Sequence, residues 1–133
     1  MVRDSAAWHW VPELVPAPGE HRVHKRFNSS FEQTGLVEWL QAQGATHLVL
    51  AGAASNWCIR ATAYAALERG FHLTLASDAH TTESMVLDGD RRIEAKDIVA
   101  DLNIAMRWLA YPGRPNAAVP AAEVDFAVPV PTA

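Results

Sequence analysis

The residue with the most reactive side chain in this sequence is Cys58, the only cysteine. It follows a continuous apolar run of strand length, His47 to Ala51, and the small residues Gly52 to Ser55, and it opens a helical pattern. Backbone N–H groups at a helix N-terminus stabilise a thiolate and can hold the oxyanion that forms when sulfur attacks a carbonyl. Cys58 is therefore a candidate nucleophile; the alternative is a small buried hydrophobe, which most lone cysteines are.

A thiolate nucleophile also needs a neighbouring group that handles protons, and Lys25 is the best candidate. It lies at the end of a short predicted strand, His21 to Lys25, and opens the turn KRFNSSF. The alternatives are that Lys25 is a solvated side chain or that a histidine is the base. His47 and His72 begin strands and so lie at the wrong edge of a sheet, whereas His80 follows a strand and could instead cap a loop.

The elements that must position these residues alternate between strands and helices. The predicted strands are 21–25, 47–51, 71–76 and 123–126, and the predicted helices are 36–43, 58–69 and 93–110, with a polar loop over 78–90. Alternating strands and helices with continuous apolar strands are typical of an α/β fold with a mainly parallel sheet. Such folds bind ligands at the carboxyl ends of their strands, where Lys25 and Cys58 would meet.

Length and composition predict a single globular domain over 1–133, with an irregular lead-in over 1–20 and a mobile tail over 127–133. Half of the 133 residues are hydrophobic and 20% are charged, which argues against a disordered chain. A net charge of −4 with scattered basic residues argues against a nucleic-acid partner. No apolar run approaches the roughly 20 residues of a membrane span. The single cysteine and the lack of a secretory signal pattern favour a cytoplasmic location.

The stretch from Val23 to His80 resembles the isochorismatase-like cysteine hydrolases. The resemblance rests on VHKRFNSSF, on LVLAGAASNWCIRATAYAALERGF and on the segment 76–82, and it extends more weakly to DLNIAMRWLAYPGR. It implies a three-layer α/β/α fold and hydrolysis of C–N bonds in small amides or related compounds. It also implies that Cys58 is the nucleophile and that Lys25 serves thiolate activation and proton transfer. A cis peptide between Ala53 and Ala54 would align the amides of Ala54 and Cys58 as an oxyanion hole.

The substrate class implied by the resemblance is a small molecule, and three residues near Cys58 are candidates for its pocket. Trp57 and Phe31 could supply apolar walls, since aromatic side chains often line ligand sites. The alternative for Phe31 is a core position. Asn56 could contact a substrate or simply satisfy the turn.

The sequence departs from the family pattern in its N-terminal part. The family carries an Asp at the end of a strand well upstream of the Lys, but only residues 1–24 precede Lys25 and none forms such a strand. We therefore expect an N-terminally shortened chain that has no metal and no cofactor, with an unpaired apolar edge at Leu48 to Leu50 that favours a homo-oligomer. Two alternatives stay open: a non-catalytic binding or interaction protein of the same fold, and a plain α/β domain with an inert cysteine.

Overall fold

The structure, a computed structural model, describes residues 5–126. The helices are α1 (Leu36–Ala42), α2 (Arg60–Glu68) and α3 (Ala95–Trp108), and the strands are β1 (His47–Ala53), β2 (His72–Thr81), β3 (Met85–Val86), β4 (Arg92–Ile93) and β5 (Asn116–Val119). A π-helical turn, Ser55–Ile59, joins β1 to α2. None of the helices in this described part of the chain is long and apolar enough to cross a membrane.

The main sheet has three parallel strands in the order β1-β2-β5. His47 lies opposite His72 and Leu50 opposite Leu75, while Leu73 of β2 lies opposite Asn116 of β5. A separate antiparallel pair is formed by β3 and β4. The α/β class and the mainly parallel sheet predicted from the sequence are thus confirmed.

The hydrophobic core lies between the sheet and the two crossover helices. Both crossovers step in the same direction along the sheet, so right-handed connections place α2 and α3 on one face of it. Large apolar side chains from these elements are fully buried together: Leu67, Leu73, Leu75, Leu102 and Met106. Burial of each such side chain contributes about 1.5–3 kcal/mol, and this packing fixes the strand ends from which the candidate site is built.

The predicted strand His21 to Lys25 is wrong, because this segment forms no ladder in the structure. Ring contacts hold it instead: His21 stacks on Trp39 at a centroid distance of 4.4 Å, and His24 stacks on Trp8 at 5.6 Å. Among the described residues β1 therefore pairs with β2 alone, and its other edge has no strand beside it.

The carboxyl half of the chain differs from the prediction over 78–93 and at 123–126. Residues 78–81 lie in the predicted loop but extend β2, where His80 lies opposite Gly52 and Thr81 opposite Ala53 beyond a register shift that follows the Leu50–Leu75 pair. Strand β3 also lies in the predicted loop, and β4 takes the predicted start of the last helix, which begins at Ala95. The predicted strand 123–126 is wrong, because Ala121–Glu123 is a 3-10 helix and the last strand among the described residues is β5. The predicted mobile tail over 127–133 lies outside the described residues.

Candidate active site

Cys58 lies in the π-helical turn Ser55–Ile59, which directly follows β1 and leads into α2. The backbone N–H groups of Trp57 and Ile59 both donate to the carbonyl of Ala54, at 3.0 and 3.1 Å, and so close the turn. The Cys58 thiol is free and only partly buried. The strand and the turn together place this sulfur at the carboxyl edge of the parallel sheet, the edge at which α/β folds bind ligands.

Lys25 lies within hydrogen-bond distance of the sulfur. Its Nζ donates to Cys58 Sγ at 3.1 Å and to the backbone carbonyls of Phe27 and Asn28 at 3.0 and 3.2 Å. The two carbonyls turn the ammonium group back over its own loop, so that one donor points at the thiol. A positive charge at this distance favours the ionised form of a thiol.

The loop that carries Lys25 is attached to α2 just beyond the turn Ser55–Ile59. The backbone N–H of Ser30 donates to Thr62 Oγ1 at 3.0 Å, and Thr62 Oγ1 donates to Ser30 Oγ at 3.3 Å. Thr34 Oγ1 donates to the carbonyl of Ser30 at 2.6 Å and accepts from the N–H of Leu36 at 3.4 Å, which leads the loop into α1. Packing and local hydrogen bonds thus bring together two residues that lie 33 positions apart in the chain.

The peptide bond between Ala53 and Ala54 is cis. It lies immediately before the turn that carries Cys58, at the position that the resemblance implies for an oxyanion hole. Gly52, just before it, has a φ of +120°, in the left-handed region that favours glycine. The backbone on the amino side of the turn Ser55–Ile59 therefore follows a path that an ordinary strand does not take.

Acidic groups take no part in the contacts of Lys25 among the described residues, where the three acceptors of its Nζ are two carbonyls and a thiol. The ion pairs formed there, Arg60 with Asp101 and Arg92 with Glu94, involve other basic residues. Over the same residues, 5–126, no group of three or more His, Cys, Asp or Glu side chains is arranged to hold a metal ion.

Comparison with known proteins agrees with this geometry. The model of the Isochorismatase domain family matches residues 1–91, which is more than half of the chain. The chain belongs to the isochorismatase family. The resemblance stated from the sequence is therefore confirmed.

The relatives that match this chain include a hydrolase and an amidohydrolase. Streptothricin hydrolase of Streptomyces noursei is 41% identical over 75 residues, which are 56% of this chain and 27% of that protein. Maleamate amidohydrolase of Pseudomonas putida is 41% identical over 71 residues, which are 53% of this chain and 33% of that protein. The crystal structure of an isochorismatase from Pseudomonas putida superposes with a TM-score of 0.79 at 27% identity and covers 91% of this chain and 59% of that one. The chain thus spans about a third or less of these curated relatives.

The three residues predicted to line a substrate pocket have different surroundings in this isochorismatase-family chain. Trp57 is 53% exposed beside Cys58. The Asn56 amide is used within the protein, since its Oδ1 accepts from Thr82 Oγ1 at 2.6 Å and its Nδ2 donates to Met85 Sδ at 3.1 Å. Phe31 is 5% exposed and packs in the core, where it faces Phe71 at 6.0 Å between ring centroids. Phe31 thus occupies the core position that the sequence left open as an alternative.

The histidines considered as bases lie away from the sulfur or are engaged elsewhere. His47 and His72 begin β1 and β2, at the opposite edge of the sheet, and His47 Nε2 lies 2.8 Å from Thr74 Oγ1. Burial and the neighbouring His72 lower the pKa of His47. His80 is buried, and its Nδ1 lies 2.8 Å from Ser55 Oγ.

Two asparagines near these groups were not identified from the sequence. Asn28 supplies one of the carbonyls that hold Lys25, and its side-chain Oδ1 lies 4.0 Å from Cys58 Sγ. Asn103 of α3 has its Oδ1 3.0 Å from His80 Nε2. Asn28 could have been found as the polar centre of the turn KRFNSSF, because that turn follows Lys25 directly; Asn103 has no local signal, since only the folded packing of α3 brings it to His80.

Proposed function

We propose that this chain provides the nucleophile and the proton-handling lysine of a cysteine-dependent hydrolase that cleaves the C–N bond of a small amide. The observation that carries the proposal is the 3.1 Å contact between Lys25 Nζ and Cys58 Sγ at the carboxyl edge of the sheet. The similarity to maleamate amidohydrolase supports the reaction class.

The reaction proceeds in two halves on this arrangement. The Cys58 thiolate attacks the amide carbonyl carbon, and the carbonyl π electrons move to the oxygen, which is stabilised by the backbone N–H groups of Ala54 and Cys58. The C–N bond then breaks, the nitrogen leaves with a proton from Lys25, and a Cys58 thioester remains. Water adds to the thioester after giving its proton to Lys25, and the carboxylic acid leaves as the S–C bond breaks. The catalytic residues are thus Cys58 and Lys25.

The second candidate function is a non-catalytic binding protein of the same fold. One observation favours it: the three acceptors around Lys25 Nζ include no carboxylate among the described residues. A lysine without such a partner can stabilise a thiolate but has no second acid–base group to pass its proton to.

The experiment that separates the two functions is an assay of a panel of amides with the parent chain and two variants. Maleamate, acetamide and benzamide are incubated with parent, Cys58→Ser and Cys58→Ala, and release of ammonia is measured, with circular dichroism as the test of folding. We expect the parent to release ammonia and both variants to lose at least about a hundredfold in kcat, because a serine hydroxyl is a much weaker nucleophile than a thiolate. Equal ammonia release by parent and Cys58→Ala contradicts the proposal.

A further inference from the structure

A buried chain of polar side chains runs from the nucleophile turn to α3. Ser55, the first residue of that turn, is fully buried, and its Oγ lies 2.8 Å from Nδ1 of His80, which is itself 5% exposed. The Nε2 of His80 lies 3.0 Å from Asn103 Oδ1, and Asn103 Nδ2 donates to the carbonyl of Ser77 at 2.9 Å. None of these side chains reaches Cys58 or Lys25 in the contacts described above.

The hydrogen bonds of this chain are all satisfied by one arrangement of donors and acceptors around a neutral His80 ring. Asn103 Nδ2 faces a carbonyl oxygen, so it must be the donor and Asn103 Oδ1 the acceptor. His80 Nε2 therefore carries a proton and donates to Asn103. In the neutral imidazole Nδ1 is then an acceptor, and it receives the hydroxyl proton of Ser55. All three donors thus point the same way along the chain. Ser55 donates to His80, His80 donates to Asn103 of α3, and Asn103 donates to the carbonyl of Ser77 in β2.

Such a chain adds only modestly to stability, since the desolvation of its polar groups offsets most of the gain from the hydrogen bonds. What a fully satisfied buried network provides is a single geometry for the segments that it joins. Here it joins the turn Ser55–Ile59 to β2 and α3, in addition to β1 and α2, which the turn connects, and to the hydrogen bonds of Asn56 with Thr82 and Met85.

We propose that Ser55, His80 and Asn103 act as a positioning relay that holds the Ser55–Ile59 turn in the orientation needed for attack on the amide carbonyl. The proposal rests on the proposed function, since it assigns these residues to the same site. They are positioning residues because Ser55 and His80 are buried, Asn103 is half-buried, and all three act through the backbone of the turn. A displacement of about 1 Å in the reacting groups costs roughly a hundredfold in rate, so loss of the relay is expected to reduce kcat strongly.

The test compares His80→Leu with His80→Asn. Leucine fills space but removes both hydrogen bonds, whereas the shorter asparagine can place its Oδ1 near the former Nδ1 and accept again from Ser55. Ser55→Ala is the second variant, because it removes one oxygen and perturbs packing least. Two readouts are needed: kcat and KM on the amide of the panel above that the parent cleaves, and hydrogen–deuterium exchange of the peptide 54–60, with α1 as the internal control.

We expect His80→Leu and Ser55→Ala to lower kcat by about 30- to 100-fold with KM changed less than about threefold, and His80→Asn to recover most of the loss. Exchange over 54–60 rises in the first two variants, returns towards the parent value in His80→Asn, and is unchanged over α1. Unchanged exchange over 54–60 overturns the relay, and so does faster exchange with kcat unaltered. If the parent cleaves no amide, the proposed function fails, and the relay is then judged by exchange over 54–60 and its recovery in His80→Asn.

Discussion

The contact between Lys25 and Cys58 depends on backbone groups as much as on side chains. The carbonyls of Phe27 and Asn28 take two of the three protons of the Lys25 ammonium group and leave the third for the sulfur. Lys25 is on the exposed side of the site, so its charge is partly screened by solvent. Its effect on the thiol is therefore expected to be moderate and dependent on salt.

Replacement of Lys25 by methionine is expected to slow the reaction of Cys58 with iodoacetamide at pH 7 by about tenfold, because the thiolate loses the adjacent positive charge. Arg26→Met is the matched control, since it removes the neighbouring basic charge without removing a contact to the sulfur. The rates are measured by mass spectrometry of the Cys58 peptide at low salt. Equal slowing in both variants would mean that general surface charge, rather than the Lys25 contact, activates the thiol.

At the scale of elements, the turn between β1 and α2 requires a glycine at position 52. Gly52 has a φ of +120°, and a Cβ built there would lie 3.6 Å from Ile59 Cδ1, an ordinary contact. The difficulty for any other residue is therefore backbone conformation and not space. Gly35 has a φ of −85°, and a Cβ built there would lie in open space. Replacing Gly35 by alanine therefore adds the same methyl group without straining the backbone, and it serves as the control.

Gly52→Ala is expected to lower the free energy of unfolding by about 1–3 kcal/mol, because alanine is strained at this φ. Gly35→Ala is expected to change it by well under half as much. Urea unfolding of the two variants and the parent, followed by circular dichroism, measures both values. A loss in Gly35→Ala as large as that in Gly52→Ala would show that the left-handed conformation is not the cause.

We expect His47, at the amino end of β1, to make the stability of the protein depend on pH independently of the candidate site. Burial and His72 lower the pKa of His47 below its usual 6.5, so the folded state binds fewer protons here than the unfolded state. Stability from this group is thus complete above pH 6.5 and is lost as the pH falls from 6.5 through the lowered pKa. His47→Gln is expected to flatten the fall in unfolding free energy between pH 7 and pH 5, measured by urea titration. An unaltered slope would exclude His47 as its source.

Over the whole molecule, the elements that the sequence predicts best are those determined by local patterns of residues. β1, α2, β2 and α3 follow from apolar runs and helical spacing, and the structure has each of them with shifts at the ends. The strands predicted at 21–25 and 123–126 are wrong, because the composition of these segments permits a strand but tertiary contacts determine their conformation. The first is held by stacking on Trp39 and Trp8, and β5 takes the place beside β2.

The candidate site was predictable in part. Small residues before Cys58 indicated a nucleophile turn, and the resemblance placed Lys25 beside it, as the 3.1 Å contact shows. The environments of Phe31 and Asn56 depend on packing against Phe71 and on Thr82, which no local pattern encodes. Within residues 5–126 one edge of β1 has no strand beside it, and such edges favour association, so the homo-oligomer stays a prediction.

The central claim is that Cys58 forms a covalent thioester with an amide substrate. The measurement that tests it most directly is mass spectrometry of the parent chain, quenched with acid during incubation with the amide panel and digested with protease. We expect an acyl adduct on the Cys58 peptide, its disappearance on addition of hydroxylamine with formation of the hydroxamate, and no adduct in Cys58→Ser. Amide hydrolysis that continues in Cys58→Ser, or an adduct found only on another residue, would contradict it.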